Sequence, residues 1–355
     1  MGANMKLAVP GKIALRLLPP ITRKVIRIFC TLLLLLSVAG SAIAAPEKKG
    51  RQISHDDLFS ITFPTENNGW TCGRWGTVLY TADGGITWSR QETGTDYTLT
   101  SISFVDLQHG WAVGDEGTII HTADGGNTWK QQKSPVPFFL MGVQFVTPKN
   151  GWIVTERTHI LSTEDGGENW KVQFKQDDFI LKSISFCDPL NGWAAGEYGL
   201  IYHTKDGGKS WVKEAGSFVI SETTGIVQGE DQLFNIAAIT PQIAWAVGID
   251  GRVVRTVDGG KTWKSVNVPV PKNSLFCIAI NKTGTVAIGG KCAFIWSADG
   301  GTTWSTPEFK PAITYGWLYG LTNRGASGFV AVGLEGAIYL YNPGKTSALW
   351  QRTNY

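Results

Sequence analysis

The chain has 355 residues, among them 43 Gly and 15 Trp, with 43% hydrophobic and 17% charged residues and a formal net charge of +3. That much apolar surface excludes a disordered polar chain, and the lack of a Gly-X-Y period excludes a collagen-like one. A basic balance suggests nucleic acid or a membrane surface as partner only if the charge lies in the folded part, so its placement matters.

The first 45 residues hold six basic side chains (Lys6, Lys12, Arg16, Arg23, Lys24, Arg27) and no acid. An uncharged stretch follows from Ile28 to Pro46, centred on Leu32 to Leu36 and closing with Ala42-Ile43-Ala44. Positive, apolar and small-residue regions in that order predict a secretory signal peptide over 1–44, cleaved after Ala44. An N-terminal membrane anchor is the alternative, because a stretch of 19 uncharged residues can just span a bilayer. Removing 1–44 leaves 26 basic against 29 acidic residues, a net of −3, so the basic character belongs to the leader. The protein is expected to be exported, to the periplasm or another extracytoplasmic space, where neither nucleic acid nor nucleotide is a natural partner. Residues 45–56 form a lead-in. Four Cys remain (Cys72, Cys187, Cys277, Cys292) with no CxxC pair. They are expected to be free and mostly buried, with Cys292 on a third strand at the register of Gly117.

From residue 57 onward the chain repeats. The octet Thr122-Ala-Asp124-Gly-Gly-Asn-Thr-Trp129 has relatives around Asp83, Asp165, Asp206, Asp258 and Asp299, at Asp-to-Asp spacings of 41, 41, 41, 52 and 41. Ahead of the octet, the second copy reads Ser101-Ile-Ser-Phe, Gly110-Trp-Ala-Val-Gly114, Asp115-Glu116-Gly117 and Thr118-Ile-Ile-His-Thr122. Short runs of β-branched and aromatic residues between Gly, Asp and Asn clusters predict four strands per unit, at 100–105, 110–113, 118–122 and 128–132. Four strands in a period of 40–45 residues mark a propeller blade. A seventh unit at 317–355 lacks the octet but keeps Phe329-Val-Ala-Val-Gly333 and Ala337-Ile-Tyr-Leu-Tyr341, with Leu349-Trp350-Gln351 as its last strand. The fold expected over 57–355 is therefore all-β, a seven-bladed β-propeller of four-stranded antiparallel blades. Each octet Asp is expected to fasten a turn by accepting backbone N–H groups, while the Gly pair supplies positive φ. Six copies spread around a ring cannot converge on one reaction centre, so Asp83, Asp124, Asp165, Asp206, Asp258 and Asp299 are read as structural.

The octet is the pattern of the Asp-box, or BNR repeat, and Gly110 to Trp129 resembles the repeat of the photosystem II stability/assembly factor family nearly position by position. The resemblance covers essentially all of the chain after the leader. It implies an exported, non-enzymatic scaffold of photosynthesis that binds proteins of a membrane or envelope complex. No cofactor and no metal are implied, and a monomer is expected.

Because the octets occupy one rim, the turns between second and third strands fall on the other, together with the connections between blades. That rim is the candidate partner-binding face. Its turns are Arg74-Trp75, Asp115-Glu116, Glu156-Arg157, Glu197-Tyr198, Ile249-Asp250, Gly290-Lys291 and Leu334-Glu335. Trp, Tyr and Arg are the types that dominate interface energetics, so Trp75, Tyr198 and the arginines are the expected anchors of a mixed, mildly acidic ring. Eleven extra residues between Asp206 and Asp258 are expected to lengthen the blade connection around Ala215 to Gln232 and to serve as a partner-specific element. The five histidines show no metal-ligand spacing and are expected on the surface. An exported glycan-binding or glycoside-hydrolysing propeller of the sialidase type is the alternative. Asp115, Glu116, Glu156 and Glu197 could then face one another as acid and nucleophile. The arginine triad that sialidases need is not visible, because Arg324 falls on the opposite rim from Arg74 and Arg157.

Overall fold

A computed structural model describes residues 55–176, 179–220, 227–270, 272–310, 316–341 and 349–353. The leader expected at 1–44 and most of the expected lead-in at 45–56 lie outside these residues. Residues 52–355 form one compact unit of seven blades arranged as a ring. In blade two the strands run Leu99–Phe104, Gly110–Gly114, Ile119–Thr122 and Lys130–Gln132 from the inside outward, each antiparallel to the next.

The Phe, Gly-Trp and octet-Trp signals together build each interface between blades. Gly110 lies under the ring of Phe104, where an added Cβ would approach to 2.2 Å, so no larger residue fits before Trp111. Phe104 in turn stacks on Trp70 of the preceding blade at 3.8 Å, and the octet residue Trp129 meets its edge at 5.9 Å. The pattern recurs as Trp111 on Phe145 at 3.5 Å and Trp152 on Phe186 at 3.8 Å. Each such aromatic pair adds about 0.5–1.5 kcal/mol beyond the burial of its area.

The octets close the same interfaces from the rim. Thr122 Oγ1 donates to Asp124 Oδ1 at 2.8 Å and accepts from Gly126 N, while Asp124 accepts the backbone and hydroxyl of Thr128 at 2.9 and 2.7 Å. Gly125 and Gly126 sit at φ +71 and +85. That conformation aims the Gly125 carbonyl back at blade one, where Trp70 Nε1 and Gln91 Nε2 both donate to it, at 3.3 and 2.9 Å. Trp111 with Gln132 clamps Gly166 O in the same way, and Trp152 with Gln173 clamps Gly207 O.

The clamp then changes. At the fourth seam the glutamine is replaced by Glu214, which has no proton to give the Gly259 carbonyl. Its carboxylate instead accepts from Trp193 Nε1 at 3.3 Å and pairs with His203 Nδ1 at 2.6 Å. Arg255 reaches Gly300 O at the fifth seam, and Arg324 of blade seven reaches Gly84 O of blade one. His203 is thus a core residue stacked on Trp193 at 4.0 Å, and His159 is buried as well, so the expectation of surface histidines fails for these two.

Blades six and seven depart from four antiparallel strands each. Blade six has three strands and one isolated bridge, Trp296 with Ser305. Pro307 follows, cannot donate to a ladder, and the chain leaves the blade. The next strand, Glu308–Lys310, joins blade seven in parallel with Leu349–Arg352 and makes a five-stranded sheet. Phe309 gains ring contacts there with Trp350 at 5.4 Å and Tyr339 at 5.1 Å. The extra residues after blade four form a hairpin, Phe218–Ile220 with Val227–Gly229, in the connection where the lengthening was expected. The four cysteines among the described residues are free. Burial pushes the Cys277 thiol up to about 12. Cys292 is exposed and occupies the register of Glu116, in a two-residue turn between Gly290 and Ala293, rather than that of Gly117 on a third strand.

Candidate functional site

The turns between second and third strands all lie on one rim, and each is tied to the residue that leads into its blade's inner strand. Asp115 N donates to Thr98 O at 3.1 Å, and equivalent bonds join Arg74 to Asp57, Lys291 to Ser274 and Leu334 to Trp317. Seven non-glycine residues have left-handed backbone, one per turn: Trp75, Glu116, Thr158, Tyr198, Asp250, Cys292 and Glu335. Six share one register. In blade three the strain falls one residue later, on Thr158 rather than Arg157.

The eleven candidate residues therefore share a face, yet most of their functional groups stay apart. Trp75 is 63% exposed. Arg74 is held by Asp57 at 2.8 Å, and Asp57 also accepts the backbone N–H of Glu335 at 2.9 Å, so these two turns meet at the seam between blades seven and one. Glu156 and Glu197 accept the backbone N–H groups of Phe139 and Ile180 in their own blades. Arg157 lies over Phe138 at 4.8 Å. Tyr198 packs on Phe179 and on Phe218 of the hairpin at 5.3 and 5.8 Å. Asp115 is half-buried, whereas Glu116, Asp250 and Glu335 are exposed. Lys291 Nζ sits 5.6 Å from the ring of Trp317.

Inside this rim lies a feature outside the candidate set. Every inner strand starts with a buried Leu, and in every blade the pairing register shifts across the next residue. A bulge leaves one residue out of the ladder and re-aims its side chain. The seven re-aimed residues are Phe59, Thr100, Met141, Lys182, Phe234, Phe276 and Tyr319, and all of them line a central channel of about 850 Å³. Phe59, Tyr319, Phe276 and Phe234 are successive neighbours, with ring centroids 5.3, 5.9 and 5.1 Å apart. Lys182 Nζ lies 5.0 Å from Phe234, and burial pulls its pKa down against the opposing pull of Glu197. The signal was available in the repeat alignment: Leu58, Leu99, Leu140, Leu181, Leu233, Leu275 and Leu318 are constant, and the residue after each varies.

Among the described residues no cluster of three or more His, Cys, Asp or Glu could hold a metal ion. The exposed rim acids Glu116, Asp250 and Glu335 stand on separate blades.

A family model described as photosynthesis system II assembly factor YCF48 matches residues 51–134, 129–216 and 223–353. No curated protein matches the chain. Among solved structures, a YCF48 bound to a D1 peptide is 20% identical with a TM-score of 0.66, covering 81% of this chain and 92% of the other. YCF48 from Cyanidioschyzon merolae is 21% identical with a TM-score of 0.68, over 84% and 98%. The GH74 xyloglucanase from Xanthomonas campestris is 11% identical with a TM-score of 0.67, over 84% of this chain and 54% of the enzyme. At these identities the structural likenesses speak for the fold alone.

Proposed function

The chain belongs to the photosynthesis system II assembly factor YCF48 family, and from that membership we propose that it is an exported, non-catalytic binding protein. It captures a peptide segment of a partner while a membrane-associated complex is assembled or kept stable. The observation that carries this reading is the family match over nearly the whole propeller, together with a relative of the same fold that has been solved with a D1 peptide. The rim supports it as well. Its exposed Trp75, the Arg74 and Lys291 side chains and the channel mouth are the kinds of group that dominate binding energetics. Export rests on the leader read at 1–44, and intact mass of the mature protein beginning at Ala45 tests it.

The direct test is binding of a D1 peptide to the purified propeller, compared with a scrambled peptide of the same composition, alongside affinity capture from solubilised native membranes. Selective binding and recovery of a membrane complex are expected. Equal weak binding of both peptides and an empty capture would reject the reading. Turnover of xyloglucan or aryl glycosides that disappears in Glu116→Gln would replace it with the glycosidase alternative.

A further inference from the structure

The bulge ring at the channel mouth is chemically lopsided. Blades five, six, seven and one supply an unbroken arc of Phe234, Phe276, Tyr319 and Phe59, while blades two, three and four supply Thr100, Met141 and Lys182. Blade packing does not demand the aromatics, because Thr and Met serve at the same position elsewhere in the ring. Trp317 extends the arc, 5.7 Å from Phe276 and 5.9 Å from Tyr319, and is 36% exposed. Contiguous aromatic surface facing an open channel marks a binding site more often than isolated exposed rings do.

The wall beneath the arc also varies from blade to blade. In blades two, three and five, inner-edge backbone N–H groups are met by hydroxyls of the preceding blade: Ser60 accepts from Ile102 at 3.2 Å, Ser101 from Val143 at 3.1 Å and Ser183 from Ile236 at 3.3 Å. The same position facing blades four, six, seven and one is occupied instead by Gly142, Asn235, Cys277 and Gly320, none of which carries a hydroxyl. Among the described residues no side chain accepts from the equivalent N–H groups of Ile184, Ile278, Leu321 and Ile61, three of which lie under the arc. Backbone donors left open beside an apolar arc favour a ligand that carries its own acceptors.

Charge selects further. Lys182 and Lys291 flank the arc, each about 5–6 Å from an aromatic ring, and neither forms an ion pair among the described residues. Arg74 stands over Phe59 at 5.8 Å but is already paired with Asp57. A half-buried ammonium such as Lys182 gains most from a carboxylate.

We infer that this half of the channel mouth seats an extended acidic peptide segment of the partner. One aromatic or branched apolar side chain enters the arc at Phe276 and Tyr319, and carboxylates beside it meet Lys182 and Lys291. The inference rests on the peptide-binding reading above and specifies which sequences that site accepts. A channel of about 850 Å³ admits a few residues of chain and not a folded domain.

The test uses three short fluorescein-labelled peptides with the full propeller: acidic with two Phe, acidic with Ala in their place, and the Phe peptide with Lys replacing each acid. A D1 peptide and a xyloglucan oligosaccharide are measured in parallel. The acidic Phe peptide is expected to bind at least about tenfold tighter than the other two, with Tyr319→Ala and Lys291→Glu each costing about tenfold. Lys291 is exposed, so its variant remains folded even if the Tyr319 variant does not. If wild type discriminates none of the three peptides, the inference fails. If wild type and Lys291→Glu hold the D1 peptide equally, the arc is overturned while the family reading stands. If the acidic Phe peptide binds as expected but the D1 peptide does not, the arc is supported and the D1-type partner is rejected. Preference for the oligosaccharide over all peptides overturns both.

Discussion

On the octet rim, Asp83, Asp124, Asp165, Asp206, Asp258 and Asp299 accept the same kinds of hydrogen bond from the same positions of their own turns. At the opposite end of the ring, seven structurally equivalent bulges carry Phe, Thr, Met, Lys, Phe, Phe and Tyr. Repetition on one rim and variety on the other separate two tasks. The octets answer a demand that every blade makes alike, to close its outer turn and present a carbonyl to its neighbour. The bulges answer no common demand, so their composition is free to follow a ligand.

The largest effect should come from the repeated side. Trp111 is fully buried, stacks on Phe145 and donates to Gly166 O. Trp111→Ala should cost about 4 kcal/mol in urea unfolding. A cost below about 1 kcal/mol would mean that the seams do not hold the ring.

Asp124→Ala removes the turn's charge-assisted acceptor and should cost about 1–2 kcal/mol, with peptide binding unchanged. Lost binding at unchanged melting temperature would break the division between the rims.

The octets also set an acid limit. Bonds from Asn169 hold Asp165 at about 2, and bonds from Thr262 do the same for Asp258. At Asp83 burial pushes upward and is outweighed by Thr87 and Thr81, leaving it at about 2. Carboxylates lowered by folding stabilise the native state above their unfolded pKa of about 4, and that contribution is lost as pH falls towards about 2. Melting temperature should therefore drop steeply between about pH 4 and pH 2, and the deficit of Asp124→Ala, whose carboxyl is lowered by bonds from Thr128, should shrink as pH falls below about 4. A flat profile there would show that the octet bonds add nothing to stability.

A smaller effect is expected at the irregular seam. Glu214→Gln supplies a donor for Gly259 O and keeps an acceptor for His203, so calorimetry should show a gain of about 1 kcal/mol. A loss instead would identify the buried His203–Glu214 pair as the true fastening of that seam.

Blade count, the octet turns, the rim of the second turns and the position of the lengthened connection were all legible in the sequence, because each is a local pattern repeated in register. What stayed hidden depends on contacts between repeats. The exit of Glu308–Lys310 into blade seven follows from Pro307 and from the rings of Trp350 and Tyr339 that Phe309 meets there. The burial of His203 depends on Glu214, eleven residues away in sequence and on the adjacent strand. Cys292 was misplaced because blade six shortens its turn, and no composition signal marks one missing residue. The bulge ring escaped because bulges are defined by pairing, although the constant Leu before each variable residue was in plain view.

Blade one runs outward from Leu58–Thr62 and blade seven to Leu349–Arg352, and among the described residues no strand is shared across the joint between them. That joint is held by packed side chains, by Arg324 on Gly84 O and by Asp57 beneath Glu335. Mechanically the molecule is a split washer rather than a welded one. No ladder hydrogen bond among the described residues ties the two ends of the ring together there. Phe59 and Tyr319 face each other across that split at 5.3 Å. A guest lodged against both rings acts as a rivet, and its departure leaves the ring held by the joint alone.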